Sequence, residues 1–173
     1  LVMAVRDHGL DKVVREAAKP NMVALELAVT GLRGGHSGLE IDKGRGNAVK
    51  IVGRVLRALA DGAGARLASI RGGSKHNAIP REAFAVVCVP KSRAKKAQKL
   101  VAKWQSVVRE ELGPVEPDRR VSAVEAAGEL PEILKRKHQK QILQTISALP
   151  HGVMKMSAAI SWLVETSTNV AVL

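Results

Sequence analysis

One histidine of the chain stands in a glycine-rich segment that could bring its side chain close to a reacting group. His36 lies within Gly34-Gly35-His36-Ser37-Gly38, and six of the fifteen glycines of the chain fall in residues 31–46. Glycine permits sharp turns and the close approach of another group. An imidazole held in this way can donate a hydrogen bond to a developing oxyanion. The alternative is an ordinary glycine-rich loop that carries an exposed histidine.

A second candidate is an asparagine in the segment Asn77-Ala78-Ile79-Pro80. Because Pro80 favours extended backbone at the residue before it, Asn77 lies on a stiff stretch of chain. Its amide offers donors and an acceptor that could hold a peptide carbonyl or a carboxylate, or it could bond to the backbone of a local turn. A third segment, Gly44-Arg45-Gly46-Asn47, is open to two interpretations: an anion site at a helix N-terminus, or a turn in which Asn47 is the N-cap.

The sequence lacks the patterns of a complete active site. It has no His-Glu-x-x-His or His-x-Asp pattern and no pair of carboxylates at a spacing that would complete a metal site. The segment Gly72-Gly73-Ser74-Lys75 has its residues in the wrong order for a phosphate-binding loop. Ser37 adjoins His36, but no strand-turn-helix elbow surrounds the serine. We therefore expect no metal ligands in this chain and no reaction centre that works alone.

The chain is strongly basic and poor in aromatic residues. Its formal net charge is +12, and its only aromatic residues are Trp104, Trp162 and Phe84. Nucleic-acid sites that stack bases need aromatic platforms, so this composition counts against nucleic-acid binding. Three lysines nevertheless share one stripe at helical spacing: Lys95, Lys99 and Lys103. This stripe has two interpretations. It could be a positively charged surface that binds a nucleic acid or an acidic partner, or it could be the solvated face of a helix.

Cysteine content and hydropathy predict the compartment. A single cysteine, Cys88, excludes a disulfide framework. No apolar run approaches the roughly 20 residues of a membrane helix, and nothing resembles a signal peptide. We expect a cytoplasmic protein with no membrane segment. The chain begins with Leu1 and closes on a strand-like run at Leu173, so we also expect an incomplete domain cut from something longer.

Hydrophobic periodicity predicts the elements that must position these residues. Residues 22–30 alternate as a half-buried strand, and apolar residues from Ala48 to Leu59 recur at three and four as in an amphipathic helix. Further strands are expected at 66–71, 83–89 and 162–172, and further helices at 12–18, 92–112 and 131–149. The first strand, helix, strand, strand and helix of this core match the ferredoxin-like split βαβ plan. The predicted fold class is α+β, with helices on one face of the sheet and a helical insertion after them.

Four motifs taken together resemble one enzyme family. They are Gly34-Gly35-His36-Ser37-Gly38, Gly44-x-Gly46-Asn47-Ala48, Asn77-Ala78-Ile79-Pro80-Arg81-Glu82-Ala83-Phe84 and Val164-Glu165-Thr166-Ser167-x-Asn169-Val170. In this order and spacing the chain resembles the aminoacyl-histidine dipeptidases, or cytosol non-specific dipeptidases. These are a branch of the two-zinc metallopeptidases, which also include carnosinases and aminoacylases. The resemblance covers residues 21–173 and leaves residues 1–20 poorly matched.

The resemblance implies a role for this segment within a larger enzyme. It identifies residues 21–173 as the lid, or dimerisation, domain, truncated at its C-terminus. The two zinc ions and their ligands belong to a catalytic domain that is absent here, so the segment alone should be inactive. By resemblance, His36 stabilises the tetrahedral intermediate, Asn77 binds the dipeptide substrate, and the lid forms a homodimer. The alternatives are a basic ferredoxin-like nucleic-acid-binding module and an aminoacylase or carboxypeptidase relative.

Overall fold

The computed structural model describes residues 2–3 and 13–173. Three α-helices lie in the described residues: α1 (Ala48–Ala63), α2 (Ala94–Leu112) and α3 (Arg136–Ala148). The strands are β1 (Val2–Met3), β2 (Arg15–Glu16), β3 (Met22–Thr30), β4 (Gly35–His36), β5 (Arg66–Gly72), β6 (Ala78–Ile79), β7 (Ala83–Pro90), β8 (Arg120–Glu125), β9 (Ile133–Leu134), β10 (Gly152–Met156) and β11 (Val164–Val170). None of the helices in these residues is long and apolar enough to cross a membrane.

A four-stranded antiparallel sheet in the order β5-β7-β3-β8 forms the centre of the fold. Helix α1 connects β3 to β5, and α2 connects β7 to β8. Both helices pack against the sheet and against each other, so they share one face. This order and these connections are the ferredoxin-like arrangement, and the predicted fold class is confirmed.

Helix α1 shows how local sequence produces the layer over the sheet. Its Val and Leu residues at spacings of three and four are buried between the sheet and the other helices. The Asn47 side chain accepts a hydrogen bond from the Lys50 N–H at 3.1 Å and caps the first turn. Gly64 ends the helix in the left-handed region, with φ of +69°. The helix therefore has a fixed beginning, and that beginning lies next to the glycine-rich loop.

One edge of the sheet is formed by a strand that the sequence does not predict. Strand β8 occupies that edge, whereas the predicted strand at 162–172 forms β11 in a separate sheet with β1 and β10. Within β8, only the apolar side chains of Val121 and Ala123 face the helices. They pack against the hydrophobic core between the sheet and the helices. Two apolar positions are too few for a periodic signal, so the sequence pattern does not predict this strand.

Two predicted helices also need correction. The helix expected at 12–18 is wrong where the structure describes it, because Arg15–Glu16 is a strand that pairs with Ile133–Leu134. Lys12 lies outside the described residues. The helix expected at 131–149 begins only at Arg136. Strands β2 and β9 instead lie over the face of the sheet opposite α1 and α2, where Ile133 packs with the fully buried Cys88. Burial raises the pKa of the Cys88 thiol.

Candidate functional site

The two candidate residues of the sequence lie next to each other in the fold. His36 is in β4 and pairs with Ala78 of β6, the residue that follows Asn77. The ladder continues into the loop, where the Ser37 N–H donates to the Asn77 carbonyl at 2.9 Å. Both His36 and Asn77 are exposed. A short antiparallel pair thus brings together side chains that are far apart in the sequence.

The imidazole of His36 has a defined orientation. Its Nδ1 accepts hydrogen bonds from the backbone N–H groups of Gly38 at 3.0 Å and Leu39 at 3.3 Å. A ring nitrogen that accepts carries no proton, so the ring N–H is on Nε2. The loop therefore holds one edge of the ring and leaves the opposite edge, with its Nε2–H donor, free for a ligand.

A Glu–Arg pair fixes the backbone that carries His36. The Glu40 carboxylate accepts from the His36 N–H at 2.9 Å and from the Arg45 guanidinium at 2.7 Å. The same guanidinium also donates to the Gly34 carbonyl. The bond from the His36 N–H, followed by the charge of Arg45, holds the pKa of the Glu40 carboxyl below its usual value despite the opposing effect of desolvation. A side chain at Gly35 would collide with both groups, since its Cβ would lie 2.5 Å from Glu40 Oε2 and closer still to the Arg45 guanidinium.

The amide of Asn77 is available to a ligand. Among the described residues its side chain makes no hydrogen bond. The turn beside it is closed by backbone alone, through the Ala78 N–H and the Lys75 carbonyl at 3.3 Å. Both candidate residues line one cleft of about 880 Å³, together with Arg33, Arg71, Lys75, Arg81 and Glu82. Four of these five charged side chains are cationic and one is anionic, so the net positive charge of the cleft suits a ligand with negative charge.

The segment Gly44-Arg45-Gly46-Asn47 forms a turn and not an anion site. Asn47 caps α1 by accepting from the Lys50 N–H, and two further backbone N–H groups beside it already have acceptors. The Gly46 N–H donates to a carboxylate oxygen of Glu116 at 2.9 Å, and the Ala48 N–H donates to the Pro80 carbonyl at 3.0 Å. The interpretation of Asn47 as an N-cap is therefore correct, and these donors are not free for an anion.

A buried amide network anchors the Asn77 segment from behind. Asn169 donates to the Ala78 carbonyl at 2.7 Å and lies 3.4 Å from the Asn47 amide. That amide also lies 3.2 Å from His151 Nδ1. Burial, with a smaller contribution from the charge of Lys50, lowers the pKa of His151 to about 4. The sequence motif around Asn169 is thus explained by its contact with the strand that follows Asn77.

Two other sequence expectations can be set against the structure. Among residues 13–173, no three His, Cys, Asp or Glu side chains gather closely enough to hold a metal ion. The lysines at 95, 99 and 103 are exposed on α2, and the aromatic ring nearest in sequence, Trp104, is only partly exposed and lies under the Arg54 guanidinium at 4.7 Å. This arrangement favours the solvated helix face, because the stripe has no open aromatic platform for bases.

Comparison with known families identifies the domain. The family model described as the peptidase dimerisation domain of the M20 group matches residues 27–116. The chain belongs to this M20 peptidase dimerisation domain family. The match begins within β3 and ends four residues after α2, so it includes both His36 and Asn77.

Two relatives extend the likeness of this dimerisation domain over nearly the whole chain. It is 35% identical over 158 residues to the cytosol non-specific dipeptidase of Escherichia coli (strain K12), which is 91% of this chain and 32% of the relative. The crystal structure of aminoacylhistidine dipeptidase from Vibrio alginolyticus superposes with a TM-score of 0.88 at 38% identity, covering 92% of this chain and 32% of that protein. The chain therefore spans about a third of the length of these relatives. The family resemblance read from the four motifs is confirmed.

Proposed function

We propose that residues 21–173 are the lid and dimerisation domain of a cytoplasmic, homodimeric dipeptidase that hydrolyses Xaa-His or other unblocked dipeptides. The likeness to two dipeptidases over nine-tenths of the chain supports this assignment. Residues 1–20 precede the domain in this proposal. On its own the domain should be inactive, because a peptidase needs groups that activate water, and those groups would lie elsewhere in the protein.

Two zinc ions are part of this proposal, bound by residues outside this chain. The described residues do not fit a metal, since no cluster of three ligands occurs among them. The contribution of this chain is confined to binding and orienting the dipeptide and to stabilising charge on the carbonyl oxygen.

His36 is proposed to donate its Nε2–H to the oxygen of the scissile carbonyl. The observation that carries this role is the pair of backbone donors on Nδ1, which leaves the ring N–H on Nε2 at the exposed edge. A donor that is already oriented costs no reorganisation when negative charge develops on the oxygen. Loss of one such donor typically lowers turnover by about 10² to 10³-fold.

Asn77 is proposed to bind the substrate before the reaction. Its free amide lies on the segment that pairs with β4, so it can contact a dipeptide that also contacts His36. An interaction of this kind is made equally in the ground state and in the transition state, so its loss weakens binding without slowing the chemical step.

Steady-state kinetics on the full-length, metal-loaded protein test these two roles. We expect His36→Ala to lower kcat by at least about a hundredfold with little change in KM. Asn77→Ala should raise KM and leave kcat nearly unchanged. His76→Ala is the matched control, because His76 is an exposed neighbour of Asn77 that does not line the cleft. Unchanged turnover in His36→Ala would exclude His36 from the reaction, and hydrolysis of N-acyl amino acids in preference to dipeptides would exclude the dipeptidase.

A further inference from the structure

A buried carboxylate lies directly beneath the loop that carries His36. Glu116 has no exposed surface, and its two oxygens accept backbone N–H groups from Arg33 at 2.7 Å and Gly46 at 2.9 Å. In the described part of the chain no Lys, Arg or His forms an ion pair with this carboxylate. Burying a carboxylate is costly unless its oxygens are well bonded. Here the loop itself supplies both of the bonds that the buried carboxylate needs.

The two donors lie at the two ends of the loop. Arg33 comes shortly after β3 and Gly46 shortly before α1, so one carboxylate joins the beginning of the loop to its end. His36 lies between them. Packing around this contact is tight, since a Cβ on Gly46 would lie 2.8 Å from the Leu112 side chain and 3.1 Å from the Leu32 side chain. Glu116 thus joins the two ends of the loop by one hydrogen bond to each.

The backbone of Glu116 is itself held in place. Its carbonyl accepts from the Arg119 guanidinium at 2.5 Å and from the Arg119 N–H at 3.4 Å. The same guanidinium donates to the Arg109 carbonyl of α2 at 2.9 Å. Gly31, just before the loop, also lies against this segment, because a Cβ at Gly31 would collide with the Asp118 carbonyl oxygen. A rigid segment after α2 therefore fixes the position of the carboxylate.

We propose that Glu116 is a positioning residue for His36, acting through the two ends of residues 33–46. This inference rests on the proposed role of His36 in dipeptide hydrolysis. Without the carboxylate the loop keeps its Glu40–Arg45 contacts but loses its attachment to the segment after α2. Since a displacement of about 1 Å can cost a hundredfold in rate, the loop would present Nε2–H less accurately to the carbonyl oxygen.

Matched truncations in the full-length, metal-loaded protein test this proposal. Glu116→Ala removes two side-chain bonds to backbone. Gln139→Ala does the same elsewhere, because buried Gln139 accepts from the Leu67 N–H at 3.0 Å and donates to the Ala65 carbonyl at 2.9 Å. We expect Glu116→Ala to lower kcat by about 10- to 100-fold with KM changed less than about twofold. Gln139→Ala should lose about as much unfolding free energy as Glu116→Ala does. Its kcat should nevertheless stay within about twofold of the wild-type value. Equal effects of the two variants on kcat would overturn the proposal.

The milder Glu116→Gln variant covers the case in which Glu116→Ala fails to fold. Its amide replaces one of the two acceptor oxygens by an NH2 group, which cannot accept the N–H at that position, so kcat should still fall, by a smaller factor. An unchanged kcat in a folded Glu116→Gln protein would overturn the proposal.

A double-mutant cycle separates this inference from the function on which it rests. In a His36→Ala background, truncation of Glu116 should cause no further loss of kcat, because the group that it positions is gone. The same loss in both backgrounds would show that Glu116 acts on something else. If His36→Ala lowers kcat while Glu116→Ala does not, only the positioning role fails. If His36→Ala itself has no effect, the proposed function of His36 fails and the positioning role fails with it.

Discussion

Replacing His36 by asparagine or by glutamine should separate the contact of Nδ1 with the loop from the proposed contact of Nε2–H with the substrate. Asparagine has an oxygen close to the position of Nδ1 and can accept from the Gly38 N–H, as Asx turns do. It has no group at the position of Nε2. Glutamine extends an amide N–H toward the position of Nε2 and gives up the short-range bonds to the loop. The two substitutions thus each keep one function of the imidazole.

The magnitudes follow from the contacts of the ring. The bonds on Nδ1, at 3.0 and 3.3 Å, are exposed, so together they contribute about 1 kcal/mol to stability. The donor on Nε2 is worth about 3 to 4 kcal/mol in the transition state. We expect His36→Asn to keep near wild-type stability and to lose about 10² to 10³-fold in kcat. His36→Gln should lose about 1 kcal/mol of stability and keep more of its turnover than the asparagine variant.

The assay is kcat and KM on a dipeptide, paired with unfolding free energies from denaturant titration of the same full-length proteins. The ranking by unfolding free energy should differ from the ranking by kcat. His36→Asn should be the more stable variant and His36→Gln the more active one. His36→Ala, which lacks both contacts, should be low in both rankings. If turnover simply follows stability across the three variants, then His36 acts by shaping the loop, and the reasoning about Nε2 is refuted.

Two further predictions concern stability. Gly34 and Gly44 share a left-handed backbone, with φ of +64° and +65°, but a Cβ at Gly34 would lie 2.9 Å from the Ile79 carbonyl oxygen while one at Gly44 meets nothing. Gly44→Ala should therefore cost about 1 kcal/mol of backbone strain, and Gly34→Ala clearly more by denaturant titration; equal costs would contradict the contact. For His151, the lowered pKa of about 4 means that the unfolded state binds more protons between pH 4 and 6.5, so unfolding free energy falls as pH drops through this window. The loss should be about 2 kcal/mol after discounting for solvent screening, and His151→Gln should abolish it; an unchanged slope in that variant would assign the effect to other groups.

The parts of the fold that the sequence predicts are those in which burial imposes a repeating pattern. Strand β3 alternates because one face lies on the core, and α1 repeats at three and four because one stripe does. Strand β8 sits at the sheet edge with few inward apolar residues, so its sequence has no comparable pattern. Strands β2 and β9, of two residues each, have no periodicity at all.

In the candidate site, too, some features could be predicted from the sequence and others could not. His36 and Asn77 could be selected from the sequence because glycines and a proline mark their local backbone. Their contact depends on the two-residue pairing of β4 with β6, which no local pattern encodes. Glu116 was missed altogether, since it reads as a loop residue between two prolines. Its partners are 83 and 70 positions away in the chain.

The most direct test of the account measures binding of a tetrahedral mimic. A phosphinic pseudodipeptide resembles the intermediate, whereas the dipeptide resembles the ground state. With the full-length, metal-loaded protein, His36→Asn should weaken inhibition by the phosphinate by about 10² to 10³-fold, in step with the loss of kcat/KM, and should change KM for the dipeptide less than about twofold. Unchanged inhibition by the phosphinate, or equal losses for phosphinate and dipeptide, would contradict a role for His36 in stabilising the intermediate.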